Sequence, residues 1–191
     1  TLTADAIRIA GGTFTQNANN KPGGHDASAI AFTLDNIAGA TLNLNNLNLS
    51  VGSLAGGGAT GGGVSLGSGT LTVGALSTPT TYAGIISGGG GLTKTGTGTL
   101  TLTGASNFTG TVTASGGVLR IGNRNAFGAA NTAFGKVVIA SGGTVDLNGV
   151  WDATYGYTIA GTGATGSGAL INNGAEITYG RAQSTNIKLS A

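Results

Sequence analysis

Residues 82–123 read YAGIISGGGGLTKTGTGTLTLTGASNFTGTVTASGGVLRIGN, and the fold is decided by how this stretch alternates. Thr99-Leu100-Thr101-Leu102-Thr103 carries an apolar residue at every second position, the period of a β-strand that buries one face and leaves the other wet. The same signature recurs on both sides in short runs: Leu42/Leu44, Leu47/Leu49/Val51, Leu71/Val73, Leu119/Ile121, Val137/Ile139 and Val145/Leu147, with Thr, Asn or Ser between. Glycine clusters separate the runs, among them Gly56-Gly57-Gly58, Gly61-Gly62-Gly63 and Gly88 to Gly91, and these permit the positive φ of tight corners. No window shows helical spacing, so almost no helix is expected.

Self-similarity is the second signal. Ala114-Ser115-Gly116-Gly117-Val118-Leu119-Arg120-Ile121 matches Ala140-Ser141-Gly142-Gly143-Thr144-Val145-Asp146-Leu147, and Ala10-Gly11-Gly12-Thr13-Phe14-Thr15 is a fainter copy. Repeats built from short strands and glycine corners are what a β-solenoid requires, with each coil adding a strand to parallel sheets stacked at about 4.8 Å. Coils of about 20 to 26 residues predict eight or nine turns and a rod of roughly 40 Å. A β-sandwich also places short strands at close spacing with turn signals, and the alternation alone leaves it open. One Trp, four Tyr and five Phe are few large residues for two facing sheets.

Aligning the two Ala-Ser-Gly-Gly copies predicts a register. Leu119 lies over Val145 or its neighbour, and Ile121 with Leu147, on the inside; Arg120 and Asp146 lie on adjacent coils on the outside, as an exposed pair contributing about 0 to 1 kcal/mol. Leu100 and Leu102 join the predicted core, with Thr99, Thr101 and Thr103 outside. Lys94 shares the face of Leu92 and is expected to snorkel from a corner.

Composition excludes several function classes. The chain has 191 residues, 39 of them Gly, with 8 Lys plus Arg, 6 Asp plus Glu, one His and no Cys. Leu, Ile, Val and Phe make nearly a quarter of it and the net charge is +2, so disorder by charge repulsion is not expected. Fourteen charges, even at a pI near 9.2, are too dilute for the basic stripe that nucleic acid or anionic lipid requires, so neither partner is expected. No apolar run approaches a membrane span. Absence of Cys rules out a disulfide framework and thiolate metal sites.

Residues 82–123 resemble the passenger-associated transport repeat of bacterial autotransporters: the core GGLTKTGTGTLTLTG is followed by Phe108-Thr109-Gly110 and then by GGVLRIGN at 116–123. Passenger-like sequence also runs through 49–74, 137–149 and 159–173. The resemblance implies an all-β fold, a right-handed parallel β-helix (β-solenoid) with short glycine-rich turns, secreted and displayed outside the cell or on the outer surface of a bacterium. It implies no particular activity, because passenger helices carry many functions. The chain is read as a single solenoid domain or segment over 1–191, with the transport repeat at about 82–123 and a projecting loop at about 17–26. Strand-like sequence at both ends, Ile7-Arg8-Ile9 and Ile187-Lys188-Leu189, leads to an expectation of end-to-end self-association or continuation of a longer solenoid.

Candidate sites are few. The acids are Asp5, Asp26, Asp35, Asp146, Asp152 and Glu176, of which only Asp146 and Asp152 are close in sequence, and His25 is the sole histidine. General acid–base chemistry needs two such groups at one substrate, so no enzymatic activity is expected. Neither a cofactor nor a metal is expected. His25 and Asp26 sit in the polar 17–26 loop, and Trp151, Tyr155 and Tyr157 crowd into one short stretch. Either group could bind a surface glycan or protein, rings by stacking on a sugar. The sequence therefore points to an extracellular structural solenoid, a cell-surface stalk or self-associating fibre subunit, with an adhesin segment using these two regions as the alternative.

Overall fold

The computed structural model describes residues 6–19, 27–131, 133, 135–150, 155–164, 166, 168–175 and 187–189. Strands run Ala6–Ile9, Ala31–Leu34, Ser53–Gly56, Thr80–Tyr82, Thr99–Leu102, Gly117–Ile121, Gly143–Asp146 and Leu170–Ile171 down one eight-stranded sheet. A second sheet of seven strands stacks Leu49–Val51, Leu71–Val73, Leu92–Lys94, Val112–Ala114, Val137–Ile139, Tyr157–Ile159 and Ile187–Leu189. A third, of four strands, holds Thr13–Thr15, Thr41–Asn43, Gly63–Ser65 and Ile86–Ser87. Every pairing between these strands is parallel. The chain is an all-β solenoid, and among the described residues the one helical segment is the 3₁₀ turn Ala27–Ala29.

The turn count is lower than expected. The solenoid makes about seven turns, not eight or nine, because coil length varies. Leu100 pairs with Leu119 after a short coil, whereas Leu119 pairs with Val145 after a distinctly longer one. The longer coils spend their extra residues on corners, not on rungs, so the stack is about 34 Å tall rather than 40 Å.

Alternation builds the core as predicted. Inward ladders stack like on like: Leu49, Leu71, Leu92, Val112, Val137 and Tyr157 in the second sheet, and Leu100, Leu119 and Val145 in the first. All of these side chains are buried. Leu147 is half-buried at the rim and not a full core member, because the strand ends at Asp146. The third side loses regular strand after Ile86–Ser87, yet the chain still lies on the coil below: Asn107 N donates to Ile86 O at 3.0 Å and Thr109 N to Gly88 O at 2.9 Å. Phe108 and Phe127 enter the core from this irregular side.

Glycine is required where corners stack. Gly96 turns the chain from the second sheet to the first at φ 65°, and an added methyl would collide with the carbonyl of Gly74 on the preceding coil. Side chains also tie corner to corner: Asn46 Oδ1 accepts from Ser68 N at 3.1 Å and Asn48 Oδ1 from Thr70 N at 2.9 Å.

Candidate functional site

The first sheet gathers the charged groups on its outer face. Strand pairing puts Thr81 beside Thr101, Thr101 beside Arg120, and Arg120 beside Asp146, so these four form one outward column. The predicted register thus holds: Arg120 Nε donates to Asp146 Oδ2 at 2.9 Å across adjacent coils. The predicted exposure does not. Asp146 has a side-chain exposure of 0%, against 36% for Arg120. Segments 147–149 and 172–174 fold over the carboxylate, and its remaining lone pairs accept from Asn148 N at 2.9 Å, Asn173 N at 3.0 Å and Asn173 Nδ2 at 3.3 Å. Burial pushes this carboxyl up, but the N–H groups of Asn173 and Asn148, with the side chains of Arg120 and Asn173, more than offset it and hold it below the ordinary carboxylate range.

Arg8 and Asp35 make a second, bidentate pair at the other end of the same sheet, at 2.9 and 2.7 Å. Hydrogen bonding to Arg8 lowers the pKa of Asp35. Between the two pairs lies a concavity of about 330 Å³ lined by Pro79, Thr80, Thr81, Thr99, Thr101 and Arg120.

Two lysines are buried at other corners. Lys94 occupies an inward rung between Val73 and Ala114 and is 1% exposed. It does not snorkel to water: Nζ donates to Thr95 O at 2.5 Å, Gly96 O at 3.0 Å and, one coil on, Gly116 O at 3.2 Å. Lys136 Nζ donates to Gly110 O at 2.7 Å and lies 4.6 Å from the centre of the Phe108 ring. Burial lowers both pKa values to about 8. The face of Lys94 is legible from its alternation with Leu92. Lys136 carries no such signal, since alternation with Val137 places it outward and the contact depends on Phe108, a coil away.

The remaining sequence candidates divide in two. His25, Asp26 and Trp151 lie outside the described residues. Tyr155 and Tyr157 are core residues, not a surface for stacking. Tyr155 packs 5.6 Å from Phe127, with its hydroxyl donating to Gly128 O at 3.0 Å, and Tyr157 fills an inward rung beside Val137. No ring face of either is open to a sugar. Of the 17–26 loop, Asn17–Asn19 is described and lies on the next coil, where Asn19 Oδ1 accepts from Asn48 N at 2.8 Å. Among the described residues no three His, Asp or Glu side chains come together.

Residues 92–121 match the family model of the passenger-associated-transport-repeat. No curated protein and no solved structure matches the chain. The matched segment opens on Leu92 of the second sheet, carries the Lys94 staple and closes on Ile121 of the first, a full coil and the start of another. Match and solenoid together fit an autotransporter passenger repeat, and that family implies a secreted or cell-surface protein.

Proposed function

We propose that this chain, a solenoid carrying a passenger-associated transport repeat, is a non-enzymatic stalk segment on the outer surface of a bacterium. The observation that carries the reading is the stacked core, apolar along most inward rungs with Lys94 occupying one of them. Parallel ladders of Leu, Val, Ile and Tyr run the length of the stack while Thr, Ser and Asn face outward, an arrangement that transmits length and stiffness. Side chains reinforce it from coil to coil through Asn46, Asn48, Lys94 and Asp146. An uncovered edge of such a stack presents unpaired backbone N–H and C=O groups, which further coils or a second copy joined end to end would satisfy.

Labelling intact cells that make the protein, with an antibody against the folded solenoid, tests location. The reading expects surface labelling that disappears on external protease treatment; signal appearing only after lysis contradicts it. Electron microscopy of the labelled material tests the role and expects straight rods.

A further inference from the structure

We propose that the concavity on the outer face of the first sheet binds an acidic glycan, holding a sugar carboxylate or sulfate on Arg120 and ring hydroxyls on Thr81, Thr99 and Thr101. Three observations converge. The first is the lining: a proline wall, threonine hydroxyls and one guanidinium, with no carboxylate among the lining residues. A cation opposite hydroxyls suits a ligand that carries an anion on a polyhydroxylated body.

The second is how Arg120 is held. Asp146 takes its Nε at 2.9 Å, and Asp146 is itself fully buried and fixed by donors from Asn148 and Asn173. The Nη1 and Nη2 groups have no partner among the described residues, and Arg120 lines the concavity. A guanidinium pinned from behind loses little freedom on receiving an anion, and its planar fork suits a carboxylate or sulfate. A surface arginine needing only a salt bridge would not require its carboxylate to be buried and quadruply bonded.

The third is the spacing. Thr81, Thr101 and Arg120 step along the axis at one per rung, about 4.8 Å each. An extended polysaccharide advances by a similar length per sugar, so a chain laid along the stack meets a hydroxyl, a hydroxyl and a cation on successive rings. A bare anion would use only the last of these. The inference is independent of the stalk reading, since a rigid stalk with no glycan site and a glycan site on a short domain are both coherent proteins.

Isothermal titration of the full chain tests it with four probes: a galacturonate tetrasaccharide, a heparin tetrasaccharide, neutral cellotetraose and inorganic sulfate. The expected result is binding of at least one acidic tetrasaccharide, with neither cellotetraose nor sulfate binding at the same concentration. Arg120→Gln should weaken that binding by at least about tenfold, the loss of a charge-assisted pair. The double variant Thr99→Val with Thr101→Val keeps strand-forming side chains and leaves the Arg120–Asp146 pair intact, so it reports even if Arg120→Gln fails to fold; it should weaken binding by about fivefold. The proposal is overturned if neither acidic tetrasaccharide binds, if cellotetraose or sulfate binds as well as they do, or if the double variant binds like the parent.

Discussion

Asp146 is the residue on which the outer face of the first sheet depends. It accepts four hydrogen bonds while excluded from water, so its removal leaves Arg120, Asn148 and Asn173 with unmet donors. Asp146→Ala should cost about 3 kcal/mol in chemical denaturation, the lower end for breaking a buried ion pair because Arg120 is partly wet. The same carboxylate sets an acid dependence. Its folded pKa lies below the ordinary 3.8, so as pH falls the unfolded chain binds its proton first. This stabilisation is complete above about pH 4 and declines as pH falls through the lower folded value; a melting series from pH 6 to pH 2 should show the loss in the parent and a flatter profile in Asp146→Ala. Lys94 makes a parallel case, since Lys94→Met keeps the apolar stem but strands three corner carbonyls and should cost about 1 to 3 kcal/mol. Sequence offset alone predicts that Arg120 meets Asp146. The burial of Asp146 is not legible there, because its cover comes from Asn148 and Asn173, which no motif links to it.

At the scale of the element, the strands are the most legible part of the sequence. Leu100, Leu102, Leu119, Ile121 and Val145 all face inward as period two requires, because a short rung between glycine corners has no other way to bury its apolar side chains. Legibility fails where alternation stops. The irregular side carrying Phe108 and Phe127 has no period, and the aromatic stretch that the sequence offers as a candidate binding surface places Tyr155 and Tyr157 inside, where Tyr155 packs on Phe127 and Tyr157 fills an inward rung beside Val137. Truncation of one inward side chain should act locally, since a coil touches only its neighbours. Leu102→Ala removes a side chain that stacks between Tyr82 and Ile121 and should cost about 2 to 5 kcal/mol. Amide exchange should accelerate over residues 80–123 while 137–159 stays protected; a uniform rise would indicate one undivided core.

At the scale of the whole molecule, stacking converts repetition in sequence into length in space. The outward column of the second sheet marks that length, with Ser50, Thr72, Thr93, Thr113, Val138 and Thr158 one rung apart in order. Coil length varies, from the short step between Leu100 and Leu119 to the longer one between Leu119 and Val145, without disturbing the column, because the additional residues leave at corners. The offset between the two Ala-Ser-Gly-Gly copies matches the longer coils and by itself gives about seven turns, so the overcount comes from the shorter coil length. The chain contains no Cys, so paired spin labels can be placed on this column through introduced cysteines without competing thiols. The direct test of the solenoid is the set of electron–electron distances for Ser50→Cys paired in turn with Thr113→Cys, Val138→Cys and Thr158→Cys. Successive rungs predict backbone separations of about 14, 19 and 24 Å, a linear rise of about 4.8 Å per step, whereas distances that fail to increase in this order would contradict a parallel stack.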